Sequence, residues 1–310
     1  MLHYLVRRLI NLGFVLRGVS FLTILVAHLA PGDPVQIMLG FNRNPELYQQ
    51  LRHSYGLDKP FVVQYGTYLW NLLHGDFGMS FIQKGQAVSA ILRRGMPVSL
   101  LLGFLSLGFT LLIGLPLGTL AAIWHDSWLD NLLMGTVLTL YAIPNFVLAP
   151  SLIGLDVLLY NLHLPSLPVA GWGTPAHLVL PVVVYTLGGS AYIARLSRNS
   201  VLEVLNEEYV RTARSKGLTN FRVIVWHVLR NALIPVVTYI GPATAFLISG
   251  SFVIEYLFAI PGIGYLAVQS LYQRDYPIVE GVTIVLATAV VFMNLLTDLA
   301  YSLLDPRIRY

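Results

Sequence analysis

Of the 310 residues 56% are hydrophobic and only 11% are charged, and the mean hydropathy is +0.69. A water-soluble domain carries about 25% charged residues to face solvent, so this composition excludes an ordinary soluble body. The absence of cysteine excludes disulfide staples, thiolate metal sites and cysteine nucleophiles, and the modest net charge of +4 matters less than its distribution.

The apolar residues gather into runs near the length that spans a hydrocarbon core of about 30 Å, and the chain has room for about six such spans. The first predicted span covers 9–30, with Arg7 and Arg8 in the preceding segment 1–8 holding the N-terminus inside. A cleaved signal peptide is the competing reading, since Ala27-His28-Leu29-Ala30 faintly resembles a cleavage site. The apolar run is too long for that, and Pro31 would occupy the first mature position. Arg17 lies within this span, and snorkelling towards the interface is the expected accommodation.

Residues 31–95 form the largest polar stretch. It contains Pro31-Gly32-Asp33-Pro34, Gly56-Leu57-Asp58-Lys59-Pro60 and Gly75-Asp76-Phe77-Gly78, all turn chemistry. Gln64 to His74 reads as a short amphipathic helix with Tyr65, Tyr68, Leu69 and Leu72 on one face. A small folded extracytoplasmic segment is expected here.

The remaining region, 96–310, holds the other spans, near 97–123, 132–158, 177–194, 233–254 and 278–304. Pro116, Pro144 and Pro181 lie inside them, and either mark kinks that line a pathway or reflect ordinary packing irregularity. Basic residues separate the two sides. Arg7, Arg8, the cluster Arg195, Arg198, Arg211, Arg214, Lys216, Arg222 and Arg230, and Arg307 and Arg309 fall on one, while the short loops opposite hold only Arg274. This predicts an N-in, C-in topology.

The loop 195–231 is the informative segment. A helical stretch, Val201 to Ser215, carries an expected apolar face of Val204, Leu205, Tyr209 and Ala213. Gly217 suits a helix stop, Thr219 an N-cap, and the next stretch continues an apolar side through Phe221, Ile224, Val225, Val228 and Leu229. An amphipathic helix–turn–helix held between two spans offers a rigid knob to something in the cytoplasm.

The residues Tyr209-Val210-Arg211-Thr212-Ala213-Arg214-Ser215-Lys216-Gly217-Leu218, then His227-Val228-Leu229-Arg230-Asn231-Ala232 and Pro235, closely resemble the EAA loop of ABC importer permeases. That family's pattern is Glu-Ala-Ala, three residues, Gly, nine residues, then Ile-x-Leu-Pro. Measured from Gly217 the spacing is kept, with Arg211-Thr212 in place of Glu-Ala, His227 of Ile and Arg230 of Pro. These departures resemble the dipeptide/oligopeptide branch, B subunit. The likeness extends to Arg7-Arg8-Leu9, Pro31-Gly32-Asp33-Pro34, His74-Gly75-Asp76-Phe77-Gly78, Pro261-Gly262-Ile263-Gly264, Arg274-Asp275-Tyr276-Pro277 and Asp305-Pro306-Arg307-Ile308-Arg309.

The resemblance implies an all-α, six-span permease of the ABC type I importer kind in the bacterial or archaeal inner membrane. It implies a heterodimer with a second permease, two cytoplasmic ATPases that hold the ATP and Mg, and an external peptide-binding protein, with no cofactor on this chain and no nucleic acid. Tyr209, Arg211, Thr212, Ala213, Arg214, Lys216, Gly217 and Leu218 would form the coupling helix. Glu255, Pro261, Gly262, Gly264, Arg274 and Asp275 would dock the binding protein or form an outer gate, with simple helix capping the alternative for Glu255, Arg274 and Asp275.

Absences agree. There is no G-x-x-x-x-G-K-[ST] to cradle nucleotide phosphates, and no H-E-x-x-H or G-x-S-x-G. The eight histidines are scattered without metal-ligand spacing. The alternative, an ion-coupled secondary transporter, needs carboxylates deep in the membrane. Asp156 and Glu280 fall near outer span ends, and Asp298, one turn from Asn294, falls towards an inner end.

Overall fold

A computed structural model describes residues 2–29, 33–40, 44–249 and 252–304. The Pro31-Gly32 turn and the closing motif from Asp305 lie outside the described residues, as do the side chains of Arg7, Arg8 and Asp298. Among the described residues the regular structure is helical, with one isolated β-bridge between Met79 and Ala87.

The helices are α1 (Leu2–Leu29), α2 (Pro34–Leu39), α3 (Pro45–Ser54), α4 (Phe61–Leu73), α5 (Val88–Ile123), α6 (Trp128–Ala142), α7 (Asn145–Asn161) and α8 (Ala176–Leu205). Then come α9 (Glu208–Ser215), α10 (Asn220–Arg222), a π-helical turn (Val223–Val228), α11 (Leu229–Ala232), α12 (Ile234–Ser249), α13 (Phe252–Leu257), α14 (Ile263–Gln273) and α15 (Tyr276–Leu304). Four are long and apolar enough to cross a membrane, and there are six spans if each of two bent pairs counts as one.

Proline explains one bent pair. The predicted span 132–158 is two helices, α6 and α7, meeting at 98°. Ile143 is extended (φ −82°, ψ 115°), the conformation a following proline favours, and Pro144 has no N–H for the ladder. Pro150 and Pro181 sit inside unbroken helices. The fourth span also differs from expectation, because α8 continues past Ala194 to Leu205 and carries its last turns to the loop.

The chain divides into two units. One comprises described residues of 1–99 and 261–292. Its short helices start as the turn chemistry dictates: Asp33 accepts from the Val35 N–H at 2.8 Å with Pro34 at N1, and Asn44 accepts from the Glu46 N–H at 2.9 Å with Pro45 at N1. Helix α4 runs back along α1, with His28 and Phe21 against Phe61, Phe21 against Tyr65, and the Tyr65 hydroxyl donating to the Arg17 carbonyl at 3.0 Å. The Arg17 side chain is exposed and lines a cavity of about 700 Å³ with Gly13, Gly66 and Trp70.

The other unit comprises described residues of 100–260 and 293–309. Gly114 and Gly118, one turn apart on α5, let α8 approach closely. A Cβ on Gly118 would lie 2.2 Å from the Ala194 carbonyl oxygen, and one on Gly114 2.8 Å from the Ile193 side chain. Small residues four apart at a helix contact are the usual device for close packing in membranes. Arg198 of α8 grips Asp130 near the start of α6, with Nε 2.7 Å from Oδ1 and a second bond from Nη2 to Oδ2. Asp130 is buried, and its Oδ2 also accepts from the Asp126 N–H at 3.2 Å.

Candidate functional site: a helical knob between two spans

The loop after α8 is built on a small apolar core. Val201 from α8, Val210 and Ala213 from α9, Val223 and Val228 from the π turn, and Ala232 from α11 cluster with Ala122 at the end of α5. Leu202, Val204, Leu205, Leu218 and Leu229 pack around them. The knob is thus fused to the ends of α5 and α8 by continuous packing.

Helix α9 is shorter than expected. The stretch read as one helix from Val201 breaks after Leu205, where the Asn206 N–H donates to the Glu203 carbonyl at 3.2 Å, and restarts at Glu208. It ends at Lys216 and Gly217. Gly217 has φ +76°, a left-handed conformation that costs an L-residue roughly 1–2 kcal/mol, and its N–H donates to the Arg214 carbonyl at 2.9 Å.

The expected site residues divide by direction. Arg211, Thr212, Arg214, Lys216 and Gly217 are exposed, and Leu218 is half-buried. Ala213 points into the core and seats the helix instead of presenting itself outward. Tyr209 ties α9 to the following segment: its hydroxyl accepts from the Asn231 side-chain amide at 2.7 Å and lies 3.4 Å from the His227 carbonyl. Thr219 occupies the position before α10 with extended backbone, but its side chain makes no capping bond.

The second stretch departs most from its predicted face. Residues 223–228 wind as a π-helix, so Val223 and Val228, five apart, are both fully buried, while Phe221 is 74% exposed. With Trp226, 70% exposed, Phe221 places two large aromatic rings at the surface. A 3.6-residue period gives no sign of this, because the extra residue in the turn rotates every later side chain.

The second predicted set differs in exposure from member to member. Glu255 is fully buried, and the Ile260 N–H donates to its carbonyl at 2.8 Å. Gly262 precedes α14 as its N-cap and is buried with Gly264, while Pro261 is exposed. Arg274 is exposed and ends α14 in a left-handed conformation, φ +57°. Asp275 is buried and accepts from the Ser80 hydroxyl, from the Phe81 N–H at 3.0 Å and from the Ile82 N–H at 3.3 Å.

Residues 114–310 match the family described as "Binding-protein-dependent transport system inner membrane component", and residues 1–103 match the N-terminal family that accompanies it. The chain belongs to this family. It is therefore a multi-pass inner-membrane transport component and not an enzyme. This permease is 40% identical over 309 residues, all of this chain and 98% of the relative, to the dipeptide transport system permease protein DppB of Bacillus subtilis. It is 39% identical, over the whole of both chains, to the oligopeptide transport system permease protein OppB of Haemophilus influenzae. Its fold is similar to a chain of the MetNI methionine ABC transporter in an inward-facing form, with a TM-score of 0.58, 22% identity, and coverage of 69% of this permease and 96% of that chain.

Proposed function

We propose that this permease is one of two homologous chains forming the pathway of an ATP-driven importer of dipeptides and longer peptides. In this reading it crosses the membrane six times with both termini inside, residues 31–95 outside and residues 195–231 in the cytoplasm. Two ATPase chains bind and hydrolyse the nucleotide, and an external binding protein delivers peptide. Whole-length relatives named for dipeptide and oligopeptide transport support the substrate class.

One observation carries the mechanism: α9 is seated by Val210 and Ala213 on a core shared with the ends of α5 and α8. A push on such a knob moves long helices as rigid bodies, the usual form of alternating access. Arg211, Arg214 and Lys216 pair with acidic groups on an ATPase, Thr212 and Gly217 lie against its groove, and Leu218 and Tyr209 hold the knob's shape. Phe221 and Trp226 add apolar anchors of the kind that dominate interface energetics.

Three of the carboxylates offer little to an ion-coupled mechanism, while Glu280 of α15 lines a cavity of about 270 Å³ with Tyr48, Arg52 and Tyr276. Asp130 is committed to Arg198, Asp156 accepts from the Leu167 N–H at 2.9 and 3.2 Å, and Asp275 has three donors. Affinity purification in mild detergent tests the reading. Two ATPase chains and a second hydrophobic chain should accompany the wild type, and Arg211→Glu with Arg214→Glu should lose the ATPases while keeping the second permease. A lone chain that moves solute in response to a proton gradient would overturn it.

A further inference from the structure

The second unit contains a cleft that the coupling mechanism does not use. It has a volume of about 460 Å³ and lies where α5, the α6–α7 break, α8 and α12 come together. Thr110, Tyr141, Asn145, Tyr185, Tyr192 and Tyr239 supply its polar groups, and none of its lining residues is charged. Thr110, the break at Pro144 and the pair Gly188-Gly189 each fall near the middle of their helix or helix pair, so the cleft lies at mid-span.

Its backbone argues for a polar occupant. Interrupted helix in the hydrocarbon region persists only where it is buried in protein or lines a polar cavity, because lipid cannot satisfy the freed groups. Here Pro144 and Tyr141 are exposed, Tyr141 by 51%. Gly188 keeps the cleft open, since a Cβ there would meet only the Asn145 Oδ1, at 3.5 Å, whereas Gly189 lets Thr110 pack within 2.8 Å of where its Cβ would be. The rings of Tyr192 and Tyr239 lie 4.3 Å apart at 31° and form one wall. Volume, concavity and a few convergent polar groups on an apolar lining are the marks of a small-molecule site.

We propose that this cleft holds the main chain of the passing peptide at mid-membrane. Hydroxyl and amide groups both donate and accept, matching a peptide group without regard to its side chain. An uncharged lining neither attracts nor rejects side chains by charge, so the site is permissive where a binding protein is selective. The inference rests on the peptide-import reading.

This chain has no native cysteine, so an introduced thiol is its only one. In the assembled, nucleotide-free complex in detergent, Gly188→Cys is treated with a charged, water-soluble methanethiosulfonate reagent across a concentration series of alanylalanine and trialanine. The thiol should react, and peptide at about ten times its dissociation constant should slow the reaction about tenfold. Asn145→Cys probes the facing wall and stands in if Gly188→Cys does not assemble. Phe146→Cys, next in sequence but not part of the lining, should show no protection. If the wild-type complex imports both peptides but neither cleft thiol reacts, or no peptide concentration slows the reaction, the cleft is not the site. If the wild-type complex imports no peptide, the import reading itself fails.

Discussion

Among the described residues, Asp275 and Asp130 are buried where hydrogen-bond donors answer their charge. Asp275 is the clearest case, with two N–H donors and a hydroxyl converging on one buried carboxylate. Asp275→Ala leaves those donors without an acceptor, and hydrogen bonds to charged groups contribute about 1.5–3 kcal/mol each. Limited proteolysis should then cut residues 79–83 much faster than in the wild type, with Asp275→Asn intermediate because it keeps an acceptor oxygen. The Asp130–Arg198 pair behaves similarly: its side chains are 3% and 22% exposed, so removing one partner strands the other. Asp130→Ala should lower stability in detergent by on the order of 3 kcal/mol, the low end for a broken buried pair, whereas the exchange Asp130→Arg with Arg198→Asp should recover part of it in thermal unfolding.

Elements were legible in the sequence to the extent that their causes were local. Apolar runs marked the spans, whereas α2 and α3 passed as turn chemistry and unmarked chain although Asp33-Pro34 and Asn44-Pro45 cap them locally. The knob's stop at Gly217 was legible because a left-handed φ selects glycine. Proline was ambiguous: Pro144 breaks a span while Pro150 and Pro181 do not, and residue type alone gives no distinction. The π turn escaped notice because it changes the period within six residues. The anchoring of Asp275 was invisible because Ser80 lies 195 positions away in sequence. Gly114 and Gly118 carried a spacing that local reading passes over, and its meaning is tertiary. Gly118→Ala places a methyl against backbone and should cost about 1–3 kcal/mol as overpacking. Gly108→Ala on the same helix, where a Cβ meets nothing within 4 Å, should be nearly neutral in the same thermal assay.

At the scale of the whole molecule, the proposed source of energy is the partner ATPases outside the chain. The account therefore stands on one connection, in which an ATPase acts on the knob and the knob acts on α5 and α8. The direct measurement is peptide imported per ATP hydrolysed in proteoliposomes holding the assembled complex, comparing wild type, Gly217→Val and Gly217→Asn. Valine resists the left-handed turn while asparagine tolerates it, a difference of about 1–2 kcal/mol. The predicted result is an import-to-hydrolysis ratio about tenfold lower for Gly217→Val, since about 1.4 kcal/mol is a factor of ten, with Gly217→Asn close to wild type and both variants normally inserted. A Gly217→Val complex that imports peptide at the wild-type ratio would contradict the account.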